Sequence, residues 1–240
     1  MATFSGFTPA AFRFFRGLAR NNAKPWFERN RPTYEVEIRE RMRSLIEEMD
    51  VRLGGFAPEI IGDPRRSMFR INRDIRFSND KSPYKTNAGC WFYHRDAGKK
   101  VGQESEGGGA GFYFHFEATG CFSAGGIWMP PRSSLAKIRD AIAAQPKKLT
   151  SIVQAAAFKR RFGPLDSEAK LTRAPRGYDP DHPAAEYLKL QSFTVHREID
   201  AGVVGSRRLL DRLTADYERM LPLVRWINGA LGYRPATGRL

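Results

Sequence analysis

The sequence predicts a single α+β domain over residues 1–240, with a mainly antiparallel sheet of about five strands covered by N-terminal and C-terminal helices. Three patterns carry that expectation. Apolar residues recur at helical spacing up to Leu53, they switch to period two between Met68 and Met129, and a long helical stripe returns after Ser206. One core is the simpler organisation for 240 residues, and 17 phenylalanines supply apolar surface without a disulfide or a metal.

Thr8-Pro9 is a helix start, a capping hydroxyl before a proline, and Phe12, Phe15, Leu18 and Ala19 follow on one face until Asn21-Asn22. A second helix is expected from about Pro32 to Leu53, with Tyr34, Ile38, Met42, Leu45, Ile46, Met49 and Leu53 on one stripe and Gly54-Gly55 closing it. Both helices should lie against the sheet. Four strands are expected at Met68 to Phe77, Ala88 to Arg95, Gly111 to Ala118 and Cys121 to Met129. The polar, glycine-rich stretch Gly98 to Gly109 is expected as a mobile loop between the second and third.

Beyond Pro130-Pro131, Ser133 or Ser134 caps a helix carrying Leu135, Ile138 and Ile142, and Pro146 opens another that ends near Phe158. Pro175 and Gly177 make Lys170 to Tyr178 an extended and turning segment. A short helix at Pro183 to Lys189, a fifth strand at Ser192 to Ile199, and a helix from Ser206 to Leu231 with a kink at Pro222 complete the chain.

The net charge of +14 attracts nucleic acid, nucleotides, anionic lipid or acidic proteins without choosing among them. The excess is scattered, with no run of five basic residues of the kind found in nucleic-acid arms. The N-terminus lacks a leader pattern and no stretch is apolar enough for a membrane span, so a cytoplasmic protein is expected. Cys90 and Cys121 are expected as buried free thiols. The four histidines lack metal-ligand spacing, so no metal and no cofactor are expected. The four tryptophans adjoin apolar patterns and are expected in the core, and Lys159-Arg160-Arg161 as a solvated helix face.

The most informative segment runs from Arg70 to Lys85. Strand alternation puts Phe69, Ile71, Ile75 and Phe77 on one face and Arg70, Asn72, Asp74 and Arg76 on the other. Arg73 falls in phase with the apolar set, which suits a clamp to Asp74 or Asp80. Guanidinium forks, ammonium groups and a tyrosine hydroxyl together suit an anion with several oxygens. The candidate ligand-binding residues are Arg70, Arg73, Arg76, Asp80, Lys81 and Tyr84, joined by Arg173 and Arg176 from the later loop. On the third strand Tyr113, His115 and Glu117 alternate with Phe112, Phe114 and Phe116, so Asp74, His115 and Glu117 are the candidate acid–base residues.

The block R-x-x-R-D-x-R-F followed by D-K-x-x-Y resembles the bacterial family called domain of unknown function 2461, together with Asn21-Asn22, Trp26-Phe27 and Tyr34 upstream and Leu171-x-Arg173-Ala174-Pro175-Arg176-Gly177-Tyr178 downstream. The similarity runs from about Phe7 to Ile199. It implies a shared site and supplies no substrate. Three functions stay open: a small anionic, phosphate-bearing ligand bound in a basic cleft with or without acid–base chemistry, a nucleic-acid-binding module, and a structural ion-pair clamp in a protein that acts through a partner.

Overall fold

The computed structural model describes residues 3–76, 79–97 and 108–236. Phe77 and most of the expected Gly98 to Gly109 loop lie outside them. Helix α1 (Pro9–Arg20) buries Ala11, Phe14, Phe15 and Leu18, one stripe at helical spacing. Thr8 precedes it as expected but makes no capping bond, because its hydroxyl donates to Glu37 Oε2 at 2.5 Å.

The second helical region begins earlier than the sequence suggests. Helix α2 (Lys24–Tyr34), a π-helical segment (Glu35–Glu40) and α3 (Arg41–Phe56) follow without a break, with helical backbone at both junctions. Pro32 therefore lies inside a helix, and Gly54-Gly55 precede its end instead of closing it. The wide turn explains the spacing of the stripe. Tyr34, Ile38 and Met42 are separated by four residues each, which would drift around a regular α-helix, and the extra residue of a π turn keeps all three facing the core.

The sheet is a meander of order β1-β2-β3-β4-β5, antiparallel throughout: β1 (Ile60–Ile61), β2 (Asn87–His94), β3 (Gly111–Glu117), β4 (Phe122–Ile127) and β5 (Phe193–Glu198). Of the strand expected at Met68 to Phe77, the described residues 68–76 form none. That segment runs along the β2 edge as irregular chain with two isolated bridges, Met68 to Cys90 and Asn72 to Tyr84. Between the bridges one side advances four residues and the other six, so register slips and the alternation breaks. Phe69 meets Tyr113, Ile71 is buried in the core, and Ile75 is 37% exposed, so these three share no face. The two-residue β1 was not anticipated, and it pairs instead with the far end of β2.

Helices α4 (Arg132–Ala144), α5 (Pro146–Val153), α6 (Ala156–Phe162), α7 (Ala185–Leu188), α8 (Ala201–Val204) and α9 (Arg208–Leu231) complete the chain. The helix expected from Pro146 is divided into α5 and α6, and Ser133 and Ser134 lie inside α4, whose N-cap is Pro131. Helix α9 crosses the sheet over β4, where a side chain at Gly125 would meet Met220 Sδ at 2.8 Å.

The largest fully buried side chains of the sheet, Phe92, Phe112, Phe114, Phe116 and Phe193, share the helix-covered face. Phe112, Phe114 and Phe116 alternate along β3 into this layer, where Phe7 stacks on Phe116 at 4.2 Å and Tyr217 on Phe112 at 4.5 Å. Truncating a buried phenylalanine to alanine costs about 3–5 kcal/mol, so this aromatic layer is a major stabilising feature. Cys90 and Cys121 are buried free thiols, as expected. Trp128 departs from expectation: it is 73% exposed, in the turn after β4. Among the described residues no helix is long and apolar enough to cross a membrane.

Candidate functional site

The face of the sheet opposite the helices carries the polar row of β3. Register pairs Trp91 with Tyr113, Gly89 with His115 and Asn87 with Glu117 on one side, and Ala124 with Tyr113 and Phe122 with His115 on the other. These residues share one face because cross-strand partners project the same way.

Along this face Glu117, His115 and Tyr113 form a relay. His115 Nε2 lies 3.3 Å from Glu117 Oε2, and its Nδ1 lies 3.0 Å from Tyr113 Oη. A carboxylate only accepts, so Nε2 carries the hydrogen; in the neutral ring Nδ1 is then an acceptor, and the Tyr113 hydroxyl donates to it. The ring is fixed further by Phe122, stacked on it at 4.6 Å and 10°. Burial lowers the His115 pKa below its usual value against the pull of Glu117, which favours the neutral imidazole the relay requires. Burial also raises the Tyr113 phenol well above its ordinary range, so its proton stays on oxygen until a base takes it.

Glycine at position 89 makes room for this arrangement. A Cβ there would meet Tyr113 Oη at 2.4 Å and two ring carbons at 2.8 Å. Hydroxyl, base and orienting carboxylate thus stand in the order used to activate a hydroxyl group, with tyrosine in the outer position.

The basic block hangs from the β2 edge and is largely paired with itself. Arg76 Nε and NH2 donate to the two oxygens of Asp74 at 2.9 and 2.6 Å, and this fork pulls the Asp74 carboxyl far below its usual range. With both oxygens engaged, Asp74 is poorly placed to act as a base. Arg73 pairs with Asp80, whose carboxylate also accepts from the Ser82 hydroxyl at 2.5 Å and amide at 2.9 Å. The serine hydroxyl is the largest cause lowering the Asp80 pKa, ahead of Arg73. Lys81 Nζ donates to the Ile75 carbonyl at 3.0 Å. Tyr84 is a core residue, stacked on Phe27 at 4.2 Å, and its backbone is held at both N–H and C=O by the Asn22 side chain.

One cation of this region connects to the open face, and a second lies beside it. Lys85 Nζ sits 5.4 Å from the centroid of Phe69, whose ring stands edge-on to Tyr113 at 5.9 Å. Burial lowers the Lys85 pKa, and neighbouring Arg70, itself exposed, lowers it further. Among the described residues no carboxylate forms an ion pair with Lys85, so its charge is offset only by the aromatic ring. Arg173 and Arg176 are exposed in the loop that ties back through Tyr178 to Asp140 of α4 and through Leu171 to Lys189, on the β5 side of the sheet.

The profile of the family described as Conserved hypothetical protein (DUF2461) matches residues 10–226. The chain belongs to that family. No curated protein and no solved structure matches it.

In this DUF2461 member the open face holds a second histidine–carboxylate pair that the sequence did not single out. His196 Nδ1 lies 2.9 Å from Asp166 Oδ1, and Asp166 Oδ2 accepts from the Thr194 hydroxyl at 2.8 Å. Phe122 stands between the two imidazoles, stacked on one and edge-on to the other at 5.8 Å. Tyr113, Gly89 and Lys85 were also missed as site residues. Tyr113 shares the parity of His115 and was visible in the sequence as one of the row, whereas Gly89 and Lys85 acquire their roles only through register.

Proposed function

We propose that the protein binds a small phosphate-bearing anion at Lys85 and Arg70, on the rim of the open sheet face, and that Tyr113, His115 and Glu117 exchange a proton with the bound ligand. The observation that carries this reading is the half-buried Lys85, which faces an aromatic ring and a second cation instead of a carboxylate. An anion there would offset two like charges at once and restore the ammonium to its ordinary basicity. Phe69 separates Lys85 from Tyr113 by one ring, so a ligand of a few heavy atoms could touch both the cation and the hydroxyl. The Tyr113 hydroxyl would then act as general acid, or as general base once His115 has drawn off its proton.

In this reading the Arg73–Asp80 and Arg76–Asp74 pairs, with Lys81 on the Ile75 carbonyl, shape the loop that presents Arg70 and Lys85. Calorimetric titration with inorganic phosphate and with a nucleoside 5′-monophosphate tests it. Wild type should bind, Lys85→Met should lose the sheet-face binding event, and Arg76→Lys should keep it. Equal binding by wild type and Lys85→Met would refute it.

A nucleic-acid module is the second reading, favoured by the exposed Trp128 on a protein of net charge +14. Base stacking and phosphate contacts would both be served. It requires affinity for an oligonucleotide that falls steeply with salt, and salt-independent binding would remove it.

A further inference from the structure

On the helix-covered face of the sheet, three guanidinium groups converge on one carboxylate. Asp216 of α9 is completely buried. Its Oδ1 lies 2.8 Å from Arg161 Nε, 2.7 Å from Arg161 NH2 and 3.3 Å from Arg197 NH1. Its Oδ2 accepts from Arg212 Nε and from the Ser123 hydroxyl, each at 2.8 Å. The partners come from α6, β5, α9 and β4, so the cluster fastens four elements together.

A clamp accounts for only part of this arrangement. One guanidinium balances the buried carboxylate, and each further one adds a positive charge that repels the others in a region of reduced solvation. Among the described residues no other carboxylate pairs with these three arginines, so the cluster carries two positive charges in excess. Its donors are also underused. Three guanidinium groups offer about fifteen N–H bonds, and the contacts engage Nε and NH2 of Arg161, NH1 of Arg197, and Nε and NH2 of Arg212, the last with the Glu198 carbonyl. Side-chain exposures of 24%, 35% and 20% for Arg161, Arg197 and Arg212 let the remaining donors reach solvent.

We propose that Arg161, Arg197 and Arg212 form an oxyanion-binding site for phosphate or a phosphomonoester. Arg197 would be its principal ligand, since it is the most exposed of the three and is committed to Asp216 by a single long contact. Planar forks match a tetrahedral oxyanion by paired hydrogen bonds, and a dianion would neutralise the excess charge. The site is independent of the one at Lys85. Arg197 and Ser123 are cross-strand partners on the helix-covered face, while their sequence neighbours His196 and Phe122 face the open side.

The test is calorimetric titration at low ionic strength in a Lys85→Met background, so that the sheet-face reading cannot supply or mask the signal. Inorganic phosphate should bind to Lys85→Met with one site per chain. Adding Arg197→Gln should weaken it about tenfold or more, while circular dichroism shows an unchanged fold. If Arg197→Gln fails to fold, Arg197→Lys keeps the charge and loses the fork, and it should also bind more weakly. Titration with glycerol phosphate separates a phosphomonoester site, which takes both probes, from one that accepts only the free ion. No phosphate uptake by Lys85→Met, or unchanged affinity in both Arg197 variants, would overturn the proposal.

Discussion

Gly89→Ala probes the relay without touching any residue that forms it. The added methyl would sit 2.4 Å from Tyr113 Oη and 2.8 Å from two ring carbons, distances that carbon atoms do not tolerate. Either the strand shifts or the phenol swings away, and the second breaks the 3.0 Å bond to His115. Overpacking of this kind costs about 1–3 kcal/mol. For a chain of this size each kcal/mol lowers Tm by roughly 2–4 °C, so a loss of several degrees is expected in a thermal melt. The sign should reverse when the phenol is removed. In a Tyr113→Ala background the three close contacts of the methyl are gone, and alanine in a strand interior is then better than glycine by about 0.5–1 kcal/mol. A double-mutant cycle read by thermal or urea denaturation therefore has a coupling energy well above experimental error. If Gly89→Ala melts like wild type, or costs the same with and without Tyr113, the packing of the phenol over Gly89 is wrong.

Other substitutions follow from the same contacts. Tyr217 is fully buried, and among the described residues its hydroxyl finds no hydrogen-bond partner, so Tyr217→Phe should raise stability by about 1 kcal/mol in a urea melt. Asp216→Asn leaves three guanidiniums without their counter-charge and should cost about 3–5 kcal/mol by the same measurement. Arg76→Met, on a side chain 75% exposed, should melt close to wild type despite its bidentate geometry. Stability should also depend on acid. Burial raises the Glu59 pKa, but the bonds and charge of Arg225 together with backbone N–H donors more than reverse it, and the net value is depressed. A carboxyl depressed in the folded state stabilises above its unfolded pKa and loses that contribution as pH falls through the folded value. Melts of wild type should therefore drop below about pH 4, and Glu59→Gln should flatten that part of the profile. His115, depressed by burial, contributes in the same sense, with stability lost as pH falls below its unfolded value of about 6.5.

The residues differ in how plainly the sequence announced their roles. Phe112, Phe114 and Phe116 against Tyr113, His115 and Glu117 is a strict alternation, and both the strand and its two faces follow from it. The segment from Met68 to Phe77 offers a similar pattern and misleads, because two extra residues on its partner shift the register between bridges. Its charges pair locally as Arg73 with Asp80, one of the two counter-ions expected for it, and Arg76 with Asp74. What turns Lys85 toward Phe69, and Gly89 beneath Tyr113, is tertiary pairing that local periodicity does not encode. Asp216 did leave a trace: it occupies the buried stripe of α9 with Leu209, Leu213 and Met220, where a carboxylate needs a cationic partner. Arg161, taken with its neighbours for a solvated face, is that partner.

The ring nitrogens of His115 give the most direct view of the proposed site. Nitrogen-15 spectra of the histidine side chains at pH 7 should show His115 neutral with hydrogen on Nε2 and Nδ1 accepting from Tyr113. Addition of inorganic phosphate should shift both signals in wild type and leave them unmoved in Lys85→Met. An Nδ1-protonated or doubly protonated ring, or a phosphate response that survives Lys85→Met unchanged, would contradict the account.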